Sequence, residues 1–436
     1  ISSQTITNMK YFLPLLLLFT LPSHSQIFEW VQTHQVRYSL NPGLVSSNLC
    51  SATNGLNHVA RIDTVIMIFG QDAFGVVYID LVDASGNTLR SLQLGSKVTI
   101  HDLVTDLDDN LIIAGSFMET LNIDGQDTMQ NSGGTLNVDP FLICFDSTGT
   151  FKWKRNLSPG VLNTLNLSTL SLSPSGKVYY ATDDFTDGKI TGLDSIGNDD
   201  GQIIINGAKT IGDFKFDPFG NIFVTGSTSI GTFSVGTFSI NVPEQYMIFI
   251  ARINTSGQAT FVQLAHDVTF QHPNVVTDME GNAYVAGHLM DTLSWGNFFL
   301  QGPDWVYDFF LVKVDSSGNI QWAKEVPNST GGIVGDFYLA SRKCLAYDPA
   351  GRLLLAGNLR GSIDWGNGVL VNNSTLSQGQ LDLVAFDISG LAMWAKNITG
   401  NTFTEMHAVV FNDGNWYFSA SHNAETGIAF DTVTVD

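Results

Sequence analysis

The sequence contains little charge, and most of that charge is negative. Of its 436 residues 14% are charged, and 20 Lys and Arg stand against 41 Asp and Glu, which gives a formal net charge of −21. No run of basic residues occurs that could release counterions from phosphates or attract an anionic membrane surface. Nucleic acid is therefore excluded as a partner, and an anionic membrane surface is disfavoured.

Cysteine is equally scarce. Cys50, Cys144 and Cys344 lie far apart, and no C-x-x-C spacing occurs. This pattern specifies neither a disulfide framework nor a zinc site. Cys144 and Cys344 lie within apolar, strand-like runs, so we expect buried free thiols.

Long apolar runs are absent except near the N-terminus. Residues 9–25 combine a basic start at Lys10, an apolar stretch and a Ser-His-Ser end, which is typical of a signal peptide cleaved before Gln26. The stretch is too short to span a bilayer, and we expect no transmembrane segment. Residues 1–8 contain no methionine, and we interpret them as translated upstream sequence. The predicted location is secreted or cell-surface.

Glycine, by contrast, is abundant, with 42 residues placed in repeated phrases. One phrase reads DMEGNAYVAG at 278–287, DPFGNIFVTG at 217–226 and DPAGRLLLAG at 348–357, and four further copies bring the total to seven. A second phrase alternates with it, as in DFFLVKVDSSGNIQWAKEV at 308–326, and its glycines recur every 48 to 72 residues. A period of this size, built from strand-like runs and turns, predicts the blades of a β-propeller.

The D-x-x-G element suits a tight turn, because Asp accepts hydrogen bonds from backbone N–H groups ahead of it and Gly tolerates positive φ. We therefore interpret these residues as structural and not catalytic. The turn residues are Asp146, Gly149, Asp217, Gly220, Asp278, Gly281, Asp315, Gly318, Asp348, Gly351, Asp387 and Gly390.

The predicted fold class is all-β, a propeller of about seven blades with four strands each, named A to D from the centre outward. A small hairpin between strands B and C recurs, and we expect it to project from the blade. The propeller takes up residues 26–436, with blades at roughly 56–94, 98–157, 163–206, 210–265, 271–326, 338–397 and 405–436 plus 27–35.

The two ends of the chain predict how the ring closes. Trp30 in IFEWVQTHQV matches Trp322, Trp153 and Trp394 of the second phrase, so residues 27–35 read as a D strand without a blade of its own. The seventh copy stops before its strand C. We therefore expect the N-terminal strand to close the ring, the last blade to be incomplete in this fragment, and further residues or domains to follow Asp436.

The alternation of the two phrases resembles the bacterial β-propeller repeat proteins (SBBP repeats), and the resemblance covers residues 27–436. It implies a secreted or surface-attached protein. Two enzyme families with similar phrases fit less well. The sialidase Asp box places Gly two residues after Asp, whereas Gly318 lies three after Asp315, and the adjacent cysteines used by some quinoprotein propellers do not occur.

Candidate binding residues lie on the face of the B–C and D–A connections, since the tight turns occupy the other face. Trp305, Tyr307, Trp295 and Trp365 are candidates for an exposed aromatic surface. Packing between blades is an alternative for Trp295 and Trp365. No cofactor is predicted. Calcium stays open as an alternative, with acidic candidates at Asp106, Asp108, Asp109, Asp199 and Asp200.

These observations favour a binding or adhesion module that presents its loop face to a glycan or protein partner, without apparent catalysis. The alternative is a propeller-fold polysaccharide hydrolase or lyase with carboxylates at the central channel. An enzyme should gather two or more carboxylates at the channel, with His, Tyr or Arg nearby. A channel lined by apolar and amide groups would favour binding.

Overall fold

The structure is a computed structural model. It describes residues 29, 31–32, 47–68, 72–133, 137–158, 165–266, 273–289, 292–301, 308–326, 335–372, 379–400, 404–422, 428–430 and 433–435. Within these ranges the protein is all-β, with 36 strands and one short 3-10 helix, Thr53–Gly55. No helix in the described residues is long and apolar enough to cross a membrane. The predicted signal peptide lies outside the described residues.

The strands form seven successive repeats, each of which starts at an inner strand. Repeat 1 contains β1 (Asn48–Ser51), β2 (Asn57–Ile68), β3 (Asp72–Val82) and the first half of β4 (Thr88–Thr105). Repeat 2 contains the second half of β4, β5 (Leu111–Phe117), β6 (Thr120–Ile123), β7 (Asp127–Gln130), β8 (Asp139–Phe145) and β9 (Phe151–Asn156). Repeat 3 contains β10 (Asn166–Leu172), β11 (Val178–Asp183), β12 (Asp187–Leu193) and β13 (Asp199–Asn206).

The later repeats follow the same plan. Repeat 4 contains β14 (Ala208–Phe216), β15 (Ile222–Thr228), β16 (Gly231–Val235), β17 (Phe238–Val242), β18 (Ile248–Ile253) and β19 (Ala259–Ala265). Repeat 5 contains β20 (Asn274–Thr277), β21 (Ala283–Leu289), β22 (Leu293–Trp295), β23 (Phe298–Leu300), β24 (Asp308–Val314) and β25 (Ile320–Lys324). Repeat 6 contains β26 (Asp336–Leu339), β27 (Leu345–Asp348), β28 (Arg352–Arg360), β29 (Ser362–Gly366), β30 (Val369–Asn372), β31 (Gln380–Asp387) and β32 (Ala392–Gly400). Repeat 7 contains β33 (Thr404–Asn412), β34 (Asn415–His422), β35 (Ile428–Phe430) and β36 (Val433–Val435).

Four strands of each complete repeat pair antiparallel from the inside outward, as in β14-β15-β18-β19 and β20-β21-β24-β25. Each inner strand also lies beside the inner strand of the next repeat, and β33 lies beside β1. At that seam, Asn412 Nδ2 donates hydrogen bonds to the carbonyls of Ala52 at 3.1 Å and Leu56 at 2.7 Å. Sheets arranged radially around one axis form a β-propeller, as the repeat period predicted.

The apolar core is divided among the spaces between neighbouring repeats. Separate buried clusters join repeats 1 and 2, 2 and 3, 3 and 4, and 4 and 5, and a larger one joins repeats 5 to 7. Because each sheet is covered on both faces, β5 and β21 are buried at every position. The three cysteines are buried and unpaired, which confirms the prediction of free thiols.

The D-x-x-G turns have the geometry that their composition suggests. Asp315 Oδ1 accepts the N–H groups of Ser317 at 2.9 Å and Asn319 at 2.8 Å, and Gly318 has a φ of 92°. The other five glycines of the predicted set have φ between 80° and 87°. This backbone conformation favours glycine.

The second phrase joins one repeat to the next through these turns. Trp322 of repeat 5 donates its indole N–H to the carbonyl of Ile388, in the turn of repeat 6, at 3.1 Å. A Cβ atom on Gly390 of that turn would lie 3.1 Å from the Trp322 ring, and one on Gly318 would lie 2.6 Å from Phe261 of repeat 4. The glycine therefore also leaves room for an aromatic ring of the preceding repeat.

The prediction that the inserted hairpins project from the sheets is wrong. Ile123 of β6 pairs with Leu94 of repeat 1, and Val235 of β16 pairs with Ile205 of repeat 3, so these hairpins extend the sheet of the preceding repeat. Alternate residues of β6 and β22 are buried. The apolar face of the hairpin covers the junction of two repeats, and its polar face meets solvent.

Candidate functional site at the ring centre

Polar residues recur on the inner strands, four positions before the first residue of the turn that follows. They are Asp102, Thr169, Asp213 and Asn274. A β-bulge precedes three of them, since the register shifts between Ile100 and Asp102, between Leu167 and Thr169, and between Ile211 and Asp213. Such a bulge re-aims the next side chain, here towards the adjacent inner strand.

These side chains hydrogen-bond one inner strand to the next. Asp213 Oδ2 accepts the N–H of Val275 at 3.1 Å, and Asn274 Oδ1 accepts the N–H of Cys344 at 2.6 Å. Both donors belong to the following repeat. The bonds therefore form a polar girdle around the ring axis.

Asp102 is 2% exposed and accepts four polar contacts, three of them from other repeats. Its Oδ1 accepts from the N–H of Leu103 at 2.8 Å and from Lys343 Nζ at 2.7 Å. Its Oδ2 accepts from the N–H of Leu170 at 2.8 Å and from Thr169 Oγ1 at 2.9 Å. A carboxylate offers about four lone-pair sites, so these contacts fill its capacity.

Lys343 reaches this carboxylate from repeat 6. It lies between β26 and β27, forms a parallel bridge with Ala408 of repeat 7, and extends past that repeat. Its Nζ donates to the carbonyl of Leu49 at 2.8 Å and lies 3.4 Å from the carbonyl of Leu103, in addition to its contact with Asp102. One ammonium group thus links repeats 6, 1 and 2.

A threonine hydroxyl joins the two central carboxylates. Thr169 Oγ1 lies 2.9 Å from Asp102 Oδ2 and 3.1 Å from Asp213 Oδ1. A hydroxyl has one proton and can donate to only one of them at a time. Lys215 Nζ lies 2.8 Å from Asp213 Oδ1, so each carboxylate has a lysine of its own.

Burial and charge act in opposite directions on this cluster. Burial would raise the pKa of the Asp102 carboxyl, but the ammonium groups of Lys343 and Lys215 hold that pKa below its usual value. Burial would lower the pKa of Lys343, but Asp102 raises it above its usual value. Both groups are therefore ionised at neutral pH. Burial raises the pKa of the neighbouring Cys50 to about 12, which keeps its thiol protonated.

Two buried histidines near the inner strands are held by contacts of their own. The ring nitrogens of His407 lie 3.0 Å from Ser341 Oγ and 3.0 Å from Ser421 Oγ, and burial lowers its pKa to about 3. His288 meets the Tyr338 ring edge-on, and burial lowers its pKa to about 4. Both imidazoles are neutral at physiological pH.

The two hairpin tryptophans lie in the core, in contrast to the exposed aromatic surface expected from the sequence. Trp295 is 1% exposed and Trp365 is 5% exposed. Trp365 meets three phenylalanine rings at centroid distances of 5.3 to 5.9 Å, those of Phe309, Phe337 and Phe386. Both side chains instead pack between repeats, which was the alternative interpretation. They do so because the hairpins fold over the junctions. Trp305 and Tyr307 lie outside the described residues.

The carboxylates of four of the five acidic candidates for calcium are engaged in contacts within the protein. Asp106 Oδ1 accepts the N–H groups of Asp108 at 3.0 Å and Asn110 at 2.9 Å, and Asp109 accepts the N–H of Thr53 at 3.0 Å. The other two form ion pairs, Asp199 with Arg155 and Asp200 with Lys177. Across the described ranges, no group of three or more His, Cys, Asp or Glu is arranged to hold a metal ion.

The sequence analysis missed the central cluster. A usable signal was the polar residue four positions before each turn, as in Asp102 before Asp106 and Asp213 before Asp217. Lys343 stands five positions before Asp348, on an inner strand interrupted between β26 and β27, so that spacing does not reveal it.

No family model matches the chain, and no curated protein matches it. Several solved structures are similar. The Dos1 propeller is 10% identical, with 86% of this chain and 88% of that chain covered and a TM-score of 0.39. Regucalcin from Agrobacterium tumefaciens, described as a calcium-binding protein, is 16% identical, with coverages of 72% and 82% and a TM-score of 0.35. A protein of unknown function from Bacteroides caccae is 11% identical, with coverages of 73% and 89% and a TM-score of 0.38. The fold assignment rests on the strand pairing described above.

Proposed function

We propose that the protein is a secreted or cell-surface β-propeller that binds a glycan or a protein partner and catalyses no reaction. The observation that carries this proposal is the saturation of the central carboxylates. A propeller hydrolase or lyase would need an acid and a base at the channel. Asp102 and Asp213 are close enough to share a threonine hydroxyl, but their oxygens already accept bonds from backbone N–H groups and lysines. The two carboxylates instead connect neighbouring inner strands of the ring.

The binding surface we propose is the face opposite the D-x-x-G turns. Antiparallel pairing puts the A–B and C–D turns at one edge of every sheet, and the B–C and D–A connections at the other. The connection between β23 and β24 contains Trp305 and Tyr307. Two aromatic residues that are two positions apart in the sequence of one connection are suited to stacking on a sugar ring or on a protein surface.

We further propose that the ring has seven blades and that residues 27–35 complete the last one. Two contacts of the described N-terminal residues support this closure. Gln32 Nε2 donates to Thr88 Oγ1 of repeat 1 at 2.7 Å, and Val31 packs against the apolar cluster shared by repeats 5 to 7. The repeat phrases and the signal-like segment support export.

The test is a glycan-array and polysaccharide-degradation screen of the mature protein. We expect retention of one glycan or protein class without turnover, and at least tenfold weaker binding for Trp305→Ala and Tyr307→Ala. Phe219→Ala is the matched control, because Phe219 is 65% exposed but lies in a D-x-x-G turn on the opposite face. Equal losses in all three variants would contradict the assigned face, and polysaccharide turnover would favour the hydrolase or lyase.

A further inference from the structure

The ammonium group of Lys343 lies among oxygen atoms that its own repeat does not supply. The carbonyl of Leu49 comes from β1, and the Asp102 carboxylate and the carbonyl of Leu103 come from β4. Leu49 and Leu103 hold equivalent positions, since each follows the polar residue of its inner strand. An ammonium has three donors, and three oxygens lie around it.

This group of oxygens is held in place without the lysine. Asp102 Oδ2 is fixed by Thr169 Oγ1 and the N–H of Leu170, and both carbonyls belong to paired strands. One carboxylate with backbone carbonyls is a set of hard oxygen donors of the kind that small cations prefer. We propose that the ring centre contains a cation site built by repeats 1 and 2, which the chain fills with its own Lys343.

Charge balance explains why the site needs an occupant. Asp102 is almost fully buried, and a buried carboxylate without a counter-charge is strongly destabilising. The Lys343 side chain is 21% exposed, so solvent reaches part of it. Removing the side chain beyond Cβ would therefore leave an anionic site that small cations can enter.

The position of the site gives the tethered cation a structural role. Lys343 connects repeat 6 to repeats 1 and 2 and passes over repeat 7. Among the described strands, β33 and β34 pair only with each other, whereas inner strands of the preceding repeats belong to sheets of four or more. The Lys343 ammonium thus connects the repeats on both sides of repeat 7, which is the least completely paired repeat among the described residues.

The test is chemical rescue of Lys343→Ala, followed by thermal unfolding of the mature protein. We expect the variant to lose roughly 5 °C or more in Tm. Ammonium or methylammonium chloride should restore at least half of that loss. Tetramethylammonium chloride at equal ionic strength should not, because the cation is too large and donates no hydrogen bond. Lys215→Ala is the matched control: its ammonium contacts a single oxygen among the described residues, Asp213 Oδ1 at 2.8 Å, so its loss leaves no group of three oxygens for a small cation and should show no rescue.

An unchanged Tm in Lys343→Ala, or a loss that ammonium and tetramethylammonium leave equally uncorrected, would overturn the proposal. Equal rescue of Lys215→Ala would also overturn it, since the effect would then be one of general salt. If Lys343→Ala does not fold alone, it should refold in ammonium chloride but not in tetramethylammonium chloride. Failure in both salts would count against the site.

Discussion

The outer junctions between repeats and the centre of the ring are held together in different ways. At three of the junctions, an aromatic side chain of one repeat covers the turn glycine of the next: Trp153 covers Gly197, Phe261 covers Gly318 and Trp322 covers Gly390. At the centre, Lys343 of one repeat binds Asp102 of another that lies 241 positions earlier in the chain. The turn glycine recurs in every copy of the second phrase and an aromatic partner recurs in several, whereas the lysine that reaches the ring centre, Lys343, has no counterpart at the same spacing in the other repeats.

This difference shows what repetition specifies and what it leaves to individual residues. A repeated phrase can set the sheet, its turns and its nearest neighbour, because each copy meets the same surroundings. It cannot set the point where the last copy meets the first. The polar contacts at the ring centre therefore differ from one inner strand to the next.

The largest expected effect comes from removing one buried aromatic side chain at an outer junction between repeats. Trp365→Ala removes a buried ring that packs on three phenylalanines, and we expect a loss of about 3–5 kcal/mol in the free energy of unfolding. Denaturant unfolding measures this loss. Phe299→Ala is the matched control, a hairpin aromatic that is 63% exposed, and it should change stability by no more than about 0.5 kcal/mol. Similar losses in both would show that the hairpin is not the packed element.

The next effect concerns the turn glycine itself. Gly318→Ala combines backbone strain of about 1–2 kcal/mol at positive φ with overpacking of about 1–3 kcal/mol against Phe261. Gly366→Ala is the control, because Gly366 has a φ of 81° and nothing lies within 4 Å of an added Cβ. The Gly366→Ala variant should be destabilised only by the backbone strain, without the overpacking contribution. Equal unfolding free energies for the two variants would show that the aromatic cover contributes nothing.

A third prediction concerns an exception to the repeated pattern. Asp382 is fully buried on β31, where the corresponding strands carry Phe310 and Phe141, and neither of its carboxyl oxygens has a hydrogen-bond partner among the described residues. Burial raises its pKa well above the ordinary 3.8, and the N–H dipole of the adjacent Leu383, which does not meet hydrogen-bond geometry, opposes this only in part. The folded state therefore holds the proton more tightly than the unfolded state, and stability falls as pH rises from the unfolded pKa to the folded one.

We expect Asp382→Asn to stabilise the protein by about 1–3 kcal/mol at pH 7 and by less at pH 4. Asp387→Asn should behave oppositely. Hydrogen bonds from Ser389 and Leu391 outweigh burial and lower the pKa of Asp387, so its contribution is present above the unfolded pKa and is lost in acid. Urea unfolding at the two pH values measures both variants. A gain for Asp382→Asn that is equal at pH 4 and pH 7 would contradict the assignment.

The smallest effect isolates one hydrogen bond of an outer junction. Trp322→Phe keeps an aromatic ring but removes the indole N–H that binds the Ile388 carbonyl, and we expect a loss of about 1 kcal/mol. Thermal and denaturant unfolding measure it. A loss as large as that of Trp365→Ala would mean that Trp322 is part of the deep core.

The sequence predicted what the repeats encode: the all-β propeller, the D-x-x-G turns and the buried thiols. Alternation in the hairpin at 291–301 showed that one face is apolar, but the same pattern fits a projecting hairpin and one that covers a junction. The sequence therefore left both an exposed position and packing between blades open for Trp295, and the structure buries it. The polar positions of the inner strands could have been found from their spacing to the turns, but the pairing of Asp102 with Lys343 was not predictable, because these two residues meet only when the ring closes.

The closed ring is the central claim, and one engineered disulfide tests it most directly. A Cβ atom on Gly55 of repeat 1 would lie 3.6 Å from the Cβ of Asp413 of repeat 7, within the range of about 3.5–4.5 Å that disulfides require. The variant with cysteines at both positions should form the cross-link on oxidation, as read by mass spectrometry of peptides, and a control pairing position 413 with position 125 should not. Efficient cross-linking of the first pair alone is the result we predict. Absence of that cross-link in the folded protein would contradict a ring in which repeat 7 lies against repeat 1.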